Sequence, residues 1–305
     1  MTRRLLSNHA DGRESGFVVV AALWLLTALA VLATIASIYV TQSAKALAAL
    51  DATAQMDMLT SAGIELAAYQ LSAPATTRRP RRGRFGFRLA KCNVTVEYLS
   101  EAARINLNMA SRTMLAGLFA AVGADADAAG QFADRVLGWR GGLRPNMQDA
   151  EDGIYRAAGL GYLPRRAPFN SADELWLLPG MPAAIVERAM PYVTVYSGIA
   201  EINVLDAAPE AIAALPDMTP ARLDAFLRQR ESLPPDPELV LGALGGKQVG
   251  ATTGVSDAYR VRIRTKFPNG RQRTSEAVIA IPPAGEKEAF HVLAWREDIG
   301  AQQEP

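Results

Sequence analysis

The residues best suited to chemistry are few in this chain. It has two histidines, His9 and His291, and a single cysteine, Cys92. One cysteine excludes an intrachain disulfide and any CxxC redox or zinc motif, and two histidines exclude a histidine-cluster metal site. A serine hydrolase would need His291 as its base, yet no GxSxG turn presents a nucleophile. We therefore predict that the protein is not an enzyme.

Three carboxylates lie close together in a segment predicted to be a loop. They are Asp149, Glu151 and Asp152, with Gly153 directly after them. Calcium takes about six to eight oxygen ligands, several of them from carboxylates. The preceding run Trp139-Arg140-Gly141-Gly142 supplies no carboxylate and adds a positive charge. Two interpretations stay open, a calcium site (calcium then being the one cofactor) and a solvated acidic loop.

Composition narrows the class of protein. The chain has 305 residues, 50% of them apolar, which is enough for two compact domains. Its 32 basic and 31 acidic side chains leave a formal net charge of +1. This balance excludes a generally basic nucleic-acid coat protein and an acidic tail protein.

The N-terminal region predicts a membrane anchor. Residues 17–44 carry no charge, and residues 17–40, which include Phe17 and Trp24 and end at Val40, are almost wholly apolar. A bilayer-spanning helix needs about 20 such residues. The apolar run does not stop after about 15 residues, as a secretory signal would. Three arginines against two acidic residues precede the run, which predicts a cytoplasmic N-terminus and a soluble part on the other side of the membrane.

The same helix is predicted to continue beyond the anchor. One apolar stripe repeats at spacings of four, three, four and three residues, through Ala52, Met56, Leu59, Gly63 and Leu66. This is the periodicity of an amphipathic helix packed on a soluble domain. We predict a helix over residues 17–72.

Strand patterns lie on either side of a long helical region. Residues 93–99 and 259–265 alternate between apolar and polar side chains. Pro268-Asn269-Gly270 marks a hairpin turn, with strands predicted at 276–281 and 291–295. The strand arginines Arg260, Arg262 and Arg264 are interpreted as a solvated sheet face or as a docking face.

A second arginine cluster precedes the first strand. Residues 73–84 form a predicted linker with five arginines between Arg78 and Arg84. It is interpreted as a solvated loop, or as a binding site for phosphates and acidic lipid headgroups.

The order of these patterns predicts an α+β fold with a helical insertion. A long N-terminal helix packs on an antiparallel sheet formed by residues 85–108 and 254–298. Residues 109–253 form a large inserted α-domain, with strands predicted only outside it.

The insertion contains an internal sequence repeat. The run Ile105 to Ser111 (INLNMAS) resembles the run Ile202 to Ala208 (INVLDAA), and each precedes a predicted helix. Leu178-Pro179-Gly180-Met181 and Leu215-Pro216-Asp217-Met218 also echo one another as tight turns between helices. Two copies of one folding unit are therefore predicted.

These turns resemble those of helix-hairpin-helix DNA-binding modules, which is the less favoured alternative. Such turns bind a phosphate through backbone N–H groups. Here Pro182 has no N–H, and Asp217 places a carboxylate where the phosphate would bind. Phosphate binding also favours a net positive charge, which the chain lacks. We predict no nucleic-acid partner.

The N-terminus resembles the type IV prepilin pattern. The pattern is a short polar leader before a long apolar helix. Here the junction between the two reads Glu14-Ser15-Gly16-Phe17-Val18-Val19-Val20-Ala21. The resemblance implies that a prepilin peptidase removes residues 1–16 by cutting between Gly16 and Phe17, and that the new N-terminus is methylated. Most of that family has a glutamate where this chain has Ala21. A carboxylate in lipid needs a partner, so a subunit without it suits the tip of an assembly better than its shaft.

Over most of its length the chain is similar to the K-type minor pseudopilins of type II secretion systems. The resemblance is carried by residues 104–110, 150–152 and 168–175, by the turns at 178–180 and 215–216, and by residues 191–195 and 202–204. It implies a pseudopilin sheet with an inserted α-domain, and calcium in the region of Asp149, Glu151 and Asp152. The implied partners are I- and J-type minor pseudopilins, other pseudopilins, the prepilin peptidase and the inner-membrane secretion platform. A minor pilin of a type IV pilus is the main alternative.

Overall fold

The structure is a computed structural model that describes residues 14–72, 79–142, 145–234, 236–283 and 285–297. Most of the predicted leader, residues 1–13, therefore lies outside the described residues. Contacts divide the chain into two units, Met1–Met58 and Leu59–Pro305.

The described residues form eight helices and nine strands, with short 3₁₀ segments between them. The helices are α1 (Glu14–Ser72), α2 (Arg112–Ala121), α3 (Ala126–Trp139), α4 (Pro145–Ala157), α5 (Ala183–Ala189), α6 (Pro209–Ala213), α7 (Pro220–Arg230) and α8 (Pro237–Ala243). The strands are β1 (Arg82–Leu89), β2 (Cys92–Ser100), β3 (Ile105–Asn106), β4 (Val193–Thr194), β5 (Ile202–Asn203), β6 (Ala251–Thr252), β7 (Ala258–Lys266), β8 (Gln272–Ala280) and β9 (His291–Arg296).

Five strands form one antiparallel sheet in the order β1-β2-β7-β8-β9. The predicted α+β class is confirmed. Strands β2 and β7 are direct neighbours, with Ser100 opposite Tyr259, although most of the chain between them forms a separate helical region. The predicted hairpin at residues 268–270 joins β7 to β8, and its register places Arg262 opposite Glu276.

The C-terminal part of α1 covers one face of this sheet. Its buried residues Leu59, Ile64 and Leu71 share a core with alternate residues of β2 and β7. Gly63 allows the close approach, because a Cβ there would lie 3.1 Å from Ile263 and 3.2 Å from Val96. Since side chains alternate along a strand, the other residues of these strands lie on the opposite face.

The inserted region has a core of its own, built from two copies of the predicted repeat. Each copy begins at an Ile-Asn pair that forms a short parallel ladder: β3 with β4 in the first copy and β5 with β6 in the second. The prediction that strands occur only outside the insertion is therefore wrong. Asn106 and Asn203 play the same part, since each side-chain oxygen accepts a hydrogen bond from the backbone N–H two residues on. A two-residue ladder is too short for alternation to reveal it.

The two copies pack closely through α2 and α6. A Cβ at Gly117 of α2 would lie 2.5 Å from the backbone oxygen of Ala214 and 2.9 Å from its Cα. Backbone atoms cannot rotate away as a side chain would, so only glycine fits at this crossing. The contact joins the first copy of the repeat to the second.

Candidate functional site

The apolar part of α1 is the longest exposed apolar surface that the structure describes. Phe17–Leu47 has a mean hydropathy of 2.6 and is long and apolar enough to cross a membrane. At about 1.5 Å per residue it exceeds a hydrocarbon core of about 30 Å. Phe17, Trp24 and Val40 are all exposed along it, as expected of side chains that face lipid.

The predicted cleavage pair lies at the start of this helix. Gly16 and Phe17 follow Glu14, where α1 begins, and Ala21 comes one turn later. No charged side chain occurs from Phe17 through Ala44. Cleavage between Gly16 and Phe17 stays a prediction.

The predicted acidic loop is a helix. Asp149, Glu151 and Asp152 all lie on α4, which continues through Gly153 to Ala157. The loop prediction is therefore wrong. It rested on the density of polar residues and on the glycine, whereas Tyr155 and Glu151 are buried against the inserted core and hold this segment helical.

The three carboxylates have different surroundings. Asp149 is exposed. Glu151 is buried and forms an ion pair with Arg135 of α3. Asp152 is buried and lies 2.7 Å from Arg166 and 3.6 Å from Arg156.

This arrangement fits calcium poorly. Each of the two buried carboxylates faces a guanidinium, and in the part of the chain that the structure describes no three His, Cys, Asp or Glu side chains group as metal ligands. One carboxylate oxygen of Glu151 is nevertheless buried without a hydrogen-bond partner. Burial raises the pKa of Glu151, an effect that Arg135 partly offsets. Calcium binding by these residues stays a prediction.

A buried ionic cluster joins the sheet to the insertion, and the sequence analysis missed it. Arg260 of β7 donates hydrogen bonds to Glu101 at 2.8 Å and to Glu276 of β8. Glu101 is fully buried and also accepts from the hydroxyl of Thr194 in β4. Arg104 donates to the carbonyl oxygen of Pro191. Charged hydrogen bonds thus cross between the outer sheet face and the first repeat.

The cluster holds one more positive than negative charge when Arg262, 3.3 Å from Glu276, is included. Burial and the neighbouring Arg260 lower the pKa of Arg104 to about 10. Arg260 responds in the opposite direction, because Glu101 and Glu276 outweigh its burial and raise its pKa. The expectation that Arg260, Arg262 and Arg264 share a solvated or docking face is therefore wrong for Arg260.

Part of this cluster could have been predicted. A hairpin centred on Asn269 places Arg262 opposite Glu276, and opposite charges on facing residues stabilise a sheet. Nothing in the sequence marks Glu101, which follows β2 directly and is buried only because the insertion returns over it.

A cleft of about 260 Å³ lies beside the cluster, between the sheet and the first repeat. Arg260 and Glu276 line it, and Arg296 forms an ion pair with Asp173 at 2.5 Å. These positive and negative charges balance, and the cleft is small for a ligand pocket. Its geometry indicates a joint between two parts of the fold.

The described arginines of the predicted linker form ion pairs with carboxylates. Arg79 pairs with Asp257 at 2.6 Å, and Arg81 with Asp206 at 2.9 Å. Residues 82–84 belong to β1 rather than to a loop. Residues 73–78, including Arg78, lie outside the described residues. A loop with five solvated arginines is therefore wrong for the part that the structure describes.

The two echoing turns have matching backbone geometry. Gly180 and Asp217 both adopt left-handed conformations, with φ of +76° and +58°. The carbonyl oxygen of Asp217 accepts a hydrogen bond from Arg222, and Thr219 caps α7. Hydrogen bonds within the chain thus stabilise the second turn.

Comparison with known proteins agrees with this architecture. The family model described as "Type II secretion system (T2SS), protein K" matches residues 93–198. This segment, about a third of the chain, is therefore similar to that family. The matched segment runs from β2 through the first copy of the repeat, so it contains the carboxylates of α4 and one side of the ionic cluster.

A relative and a solved structure support the same similarity. The type II secretion system protein K of Klebsiella pneumoniae is 37% identical over 81 residues, which are 26% of this chain and 25% of that protein. The match therefore spans about a quarter of the curated relative's length. A chain in the crystal structure of the GspK-GspI-GspJ complex of enterotoxigenic Escherichia coli matches with a TM-score of 0.58 and 16% identity. That match covers 84% of this chain and 99% of the other, and it shows a shared fold.

The resemblance to K-type pseudopilins is confirmed. The three matches together support a GspK-type pseudopilin of type II secretion.

Proposed function

We propose that this protein is a minor pseudopilin at the tip of the type II secretion pseudopilus. It forms a complex with I- and J-type minor pseudopilins and initiates or caps pseudopilus assembly for protein secretion across the outer membrane. The observation that carries the proposal is a fold match covering 99% of a chain from the GspK-GspI-GspJ complex. The similarity of residues 93–198 to the protein K family supports it from the sequence.

The anchor helix supports a location in the inner membrane as a single-pass protein. Its N-terminus lies in the cytoplasm and its soluble part in the periplasm. The prepilin peptidase cuts between Gly16 and Phe17, and the secretion platform then extracts the helix as the pseudopilus grows. The uncharged run from Phe17 through Ala44 supports this path, because no charge within it opposes movement between lipid and a helical assembly.

Two features favour the tip over the shaft. Ala21 leaves the protein without the carboxylate that most of the resembling family carries at this position. A large helical region also leaves the sheet between β2 and β7, and its bulk opposes regular stacking of identical subunits. Both features therefore support a position at the tip.

Partner binding tests the proposal directly. The full chain is co-expressed with the I- and J-type minor pseudopilins of the same secretion system, extracted in detergent and captured by an affinity tag. We expect both partners to co-elute in a fixed ratio. Co-elution with the minor pilins of a type IV pilus, and not with the I- and J-type subunits, would favour the alternative.

Processing is tested separately by the intact mass of the extracted protein. With an active prepilin peptidase we expect a methylated chain that starts at Phe17, and without it a chain that starts at Met1. Gly16→Ile should block the cut, whereas Ser15→Ala serves as the matched control and should be cut normally. An intact Met1 start in the presence of the active peptidase would refute processing.

A further inference from the structure

One end of the sheet carries a basic surface that adjoins the ionic cluster and shares only Arg262 with it. It lies on the face opposite α1, at the end away from the insertion. We call it the basic sheet face. Its charged members are Arg84, Arg88, Glu97, Arg262, Arg264 and Lys266.

The position of these side chains follows from strand alternation. Phe85 and Phe87 of β1, and Val96 of β2, pack with the core beneath α1. Arg84, Arg88 and Glu97 are therefore on the other face. On β7, Val261 and Ile263 are buried beneath α1, so Arg262, Arg264 and Lys266 also lie on the other face.

The charge of this surface is strongly one-sided. Five cationic side chains stand against Glu97, which lies 3.4 Å from Arg84 and 3.8 Å from Arg264. Counted over the described strand residues, with Glu276, the partner of Arg262, included, five cations stand against two carboxylates. The whole chain has a net charge of only +1, so this face concentrates positive charge.

Most of these cationic side chains reach solvent. The Arg84 side chain is 69% exposed and that of Arg264 is 38% exposed. Arg88 and Lys266 are exposed as well. The uncharged residues between them are small or polar: Gly86, Asn93, Thr95, Gln272 and Thr274.

The chemistry of the surface selects among anions. Among the described strand residues of this face no aromatic ring offers a base a stacking platform, which single-stranded nucleic acids need. No apolar side chain is available there to enter a bilayer interface. Four of the five cations are arginines, whose planar forks bind carboxylates in a bidentate manner.

We propose that the basic sheet face docks an acidic surface of a partner protein through pairs between its arginines and the partner's carboxylates. Complementary charge of this kind raises the association rate and fixes orientation, and salt weakens it. This docking surface goes beyond the assembly role proposed above and does not depend on the identity of the complex.

The test uses the full chain in an uncharged detergent and a fluorescein-labelled peptide of ten glutamates as the probe. Fluorescence anisotropy measures its affinity at about 50 mM and about 300 mM salt, which differ in Debye length. The test variant is Arg84→Gln/Arg88→Gln/Lys266→Gln. The control, Arg188→Gln/Arg228→Gln/Lys247→Gln, removes the same number and types of exposed charges from the insertion.

We expect the control to bind like the unchanged chain and the test variant to bind at least about tenfold more weakly, because each lost surface pair weakens binding modestly. The difference should shrink at the higher salt concentration. Equal loss in both variants would overturn the proposal, since net charge alone would then explain binding.

Two further probes test whether the basic sheet face binds other anions in place of carboxylates. A ten-nucleotide single-stranded DNA that binds as tightly as the peptide, with the same dependence on Arg84, Arg88 and Lys266, would overturn selection for carboxylates. Vesicles of phosphatidylglycerol that lose binding in the test variant, while the peptide does not, would assign the face to lipid instead. Equal urea unfolding midpoints in all three chains show that folding is unchanged.

Discussion

The guanidinium of Arg260 contacts both oxygens of Glu101, at 2.8 Å from Nε and 3.3 Å from Nη2. Arg260 belongs to the sheet, and Glu101 lies at the point where the chain leaves the sheet for the insertion. Because Glu101 is fully buried and the Arg260 side chain is only 16% exposed, this pair fixes the geometry of the joint more than it adds to net stability.

Removing one partner of this pair should be costly. Arg260→Met leaves Glu101 and Glu276 buried without their main cation, and we expect the free energy of unfolding to fall by about 3–5 kcal/mol. The matched control is Arg264→Met on the same strand, whose side chain is 38% exposed and whose loss should cost less than about 1 kcal/mol. Urea unfolding of the full chain in detergent measures both. Equal losses in the free energy of unfolding would show that the ionic cluster stabilises the fold no more than the exposed Arg264 does.

Two glutamates should give opposite pH dependence. Burial raises the pKa of Glu151 above its ordinary value of 4.5, so the folded state loses stability as pH rises from 4.5 through that raised pKa. Glu276 is also buried, but Arg260, Arg104 and Arg262 outweigh burial and lower its pKa. Its stabilising contribution is therefore present above 4.5 and is lost as pH falls through the lowered pKa.

Glutamine substitutions test the direction in which each glutamate makes stability depend on pH. Relative to the unchanged chain, Glu151→Gln should gain stability as pH rises above 4.5. Glu276→Gln should be less stable at neutral pH and approach the unchanged chain in acid. Urea midpoints measured from about pH 3 to about pH 8 test both. Parallel curves for the two variants would contradict the assigned environments.

A pair of glycines on helices should respond oppositely to alanine. Gly117→Ala drives a Cβ against the backbone of Ala214 and should cost at least about 1–3 kcal/mol through overpacking. At Gly153 on α4 no atom lies within 4 Å of an added Cβ, so Gly153→Ala should stabilise by up to about 1 kcal/mol. Thermal unfolding distinguishes them. Similar shifts in one direction would contradict the close crossing of α2 and α6.

Calcium binding should respond to the arginines that face the carboxylates. Arg166 lies 2.7 Å from Asp152. If Asp152 is a calcium ligand, Arg166→Gln should tighten calcium binding in isothermal titration calorimetry, because a competing cation is gone. Arg165→Gln, which removes a neighbouring arginine paired with Glu174, is the control. An unchanged calcium affinity in Arg166→Gln would exclude Asp152 as a ligand.

Local patterns predicted the elements well where they repeat over many residues. Alternation located β2 and β7, and the Pro-Asn-Gly signal located the hairpin between β7 and β8. The echo of Asn106 in Asn203 correctly predicted two copies of one unit. These features depend on periodicity or turn chemistry, which a sequence displays directly.

Tertiary contacts decided the rest. Arg260 follows the same alternation as Arg264, yet its side chain is 16% exposed against 38%, because the insertion covers only one end of that face. The acidic segment around Glu151 is a helix because Tyr155 and Glu151 find a core to pack against. Burial by segments distant in sequence leaves no local periodic mark.

The adjacency of Ser100 and Tyr259 has a consequence for the folding of this protein. On the order of 160 residues leave and return to one point between two paired strands, so a short turn could bridge the gap without altering the sheet. Pairing of the central strands must wait for closure of a very long loop, which predicts that the insertion folds first and the sheet afterwards.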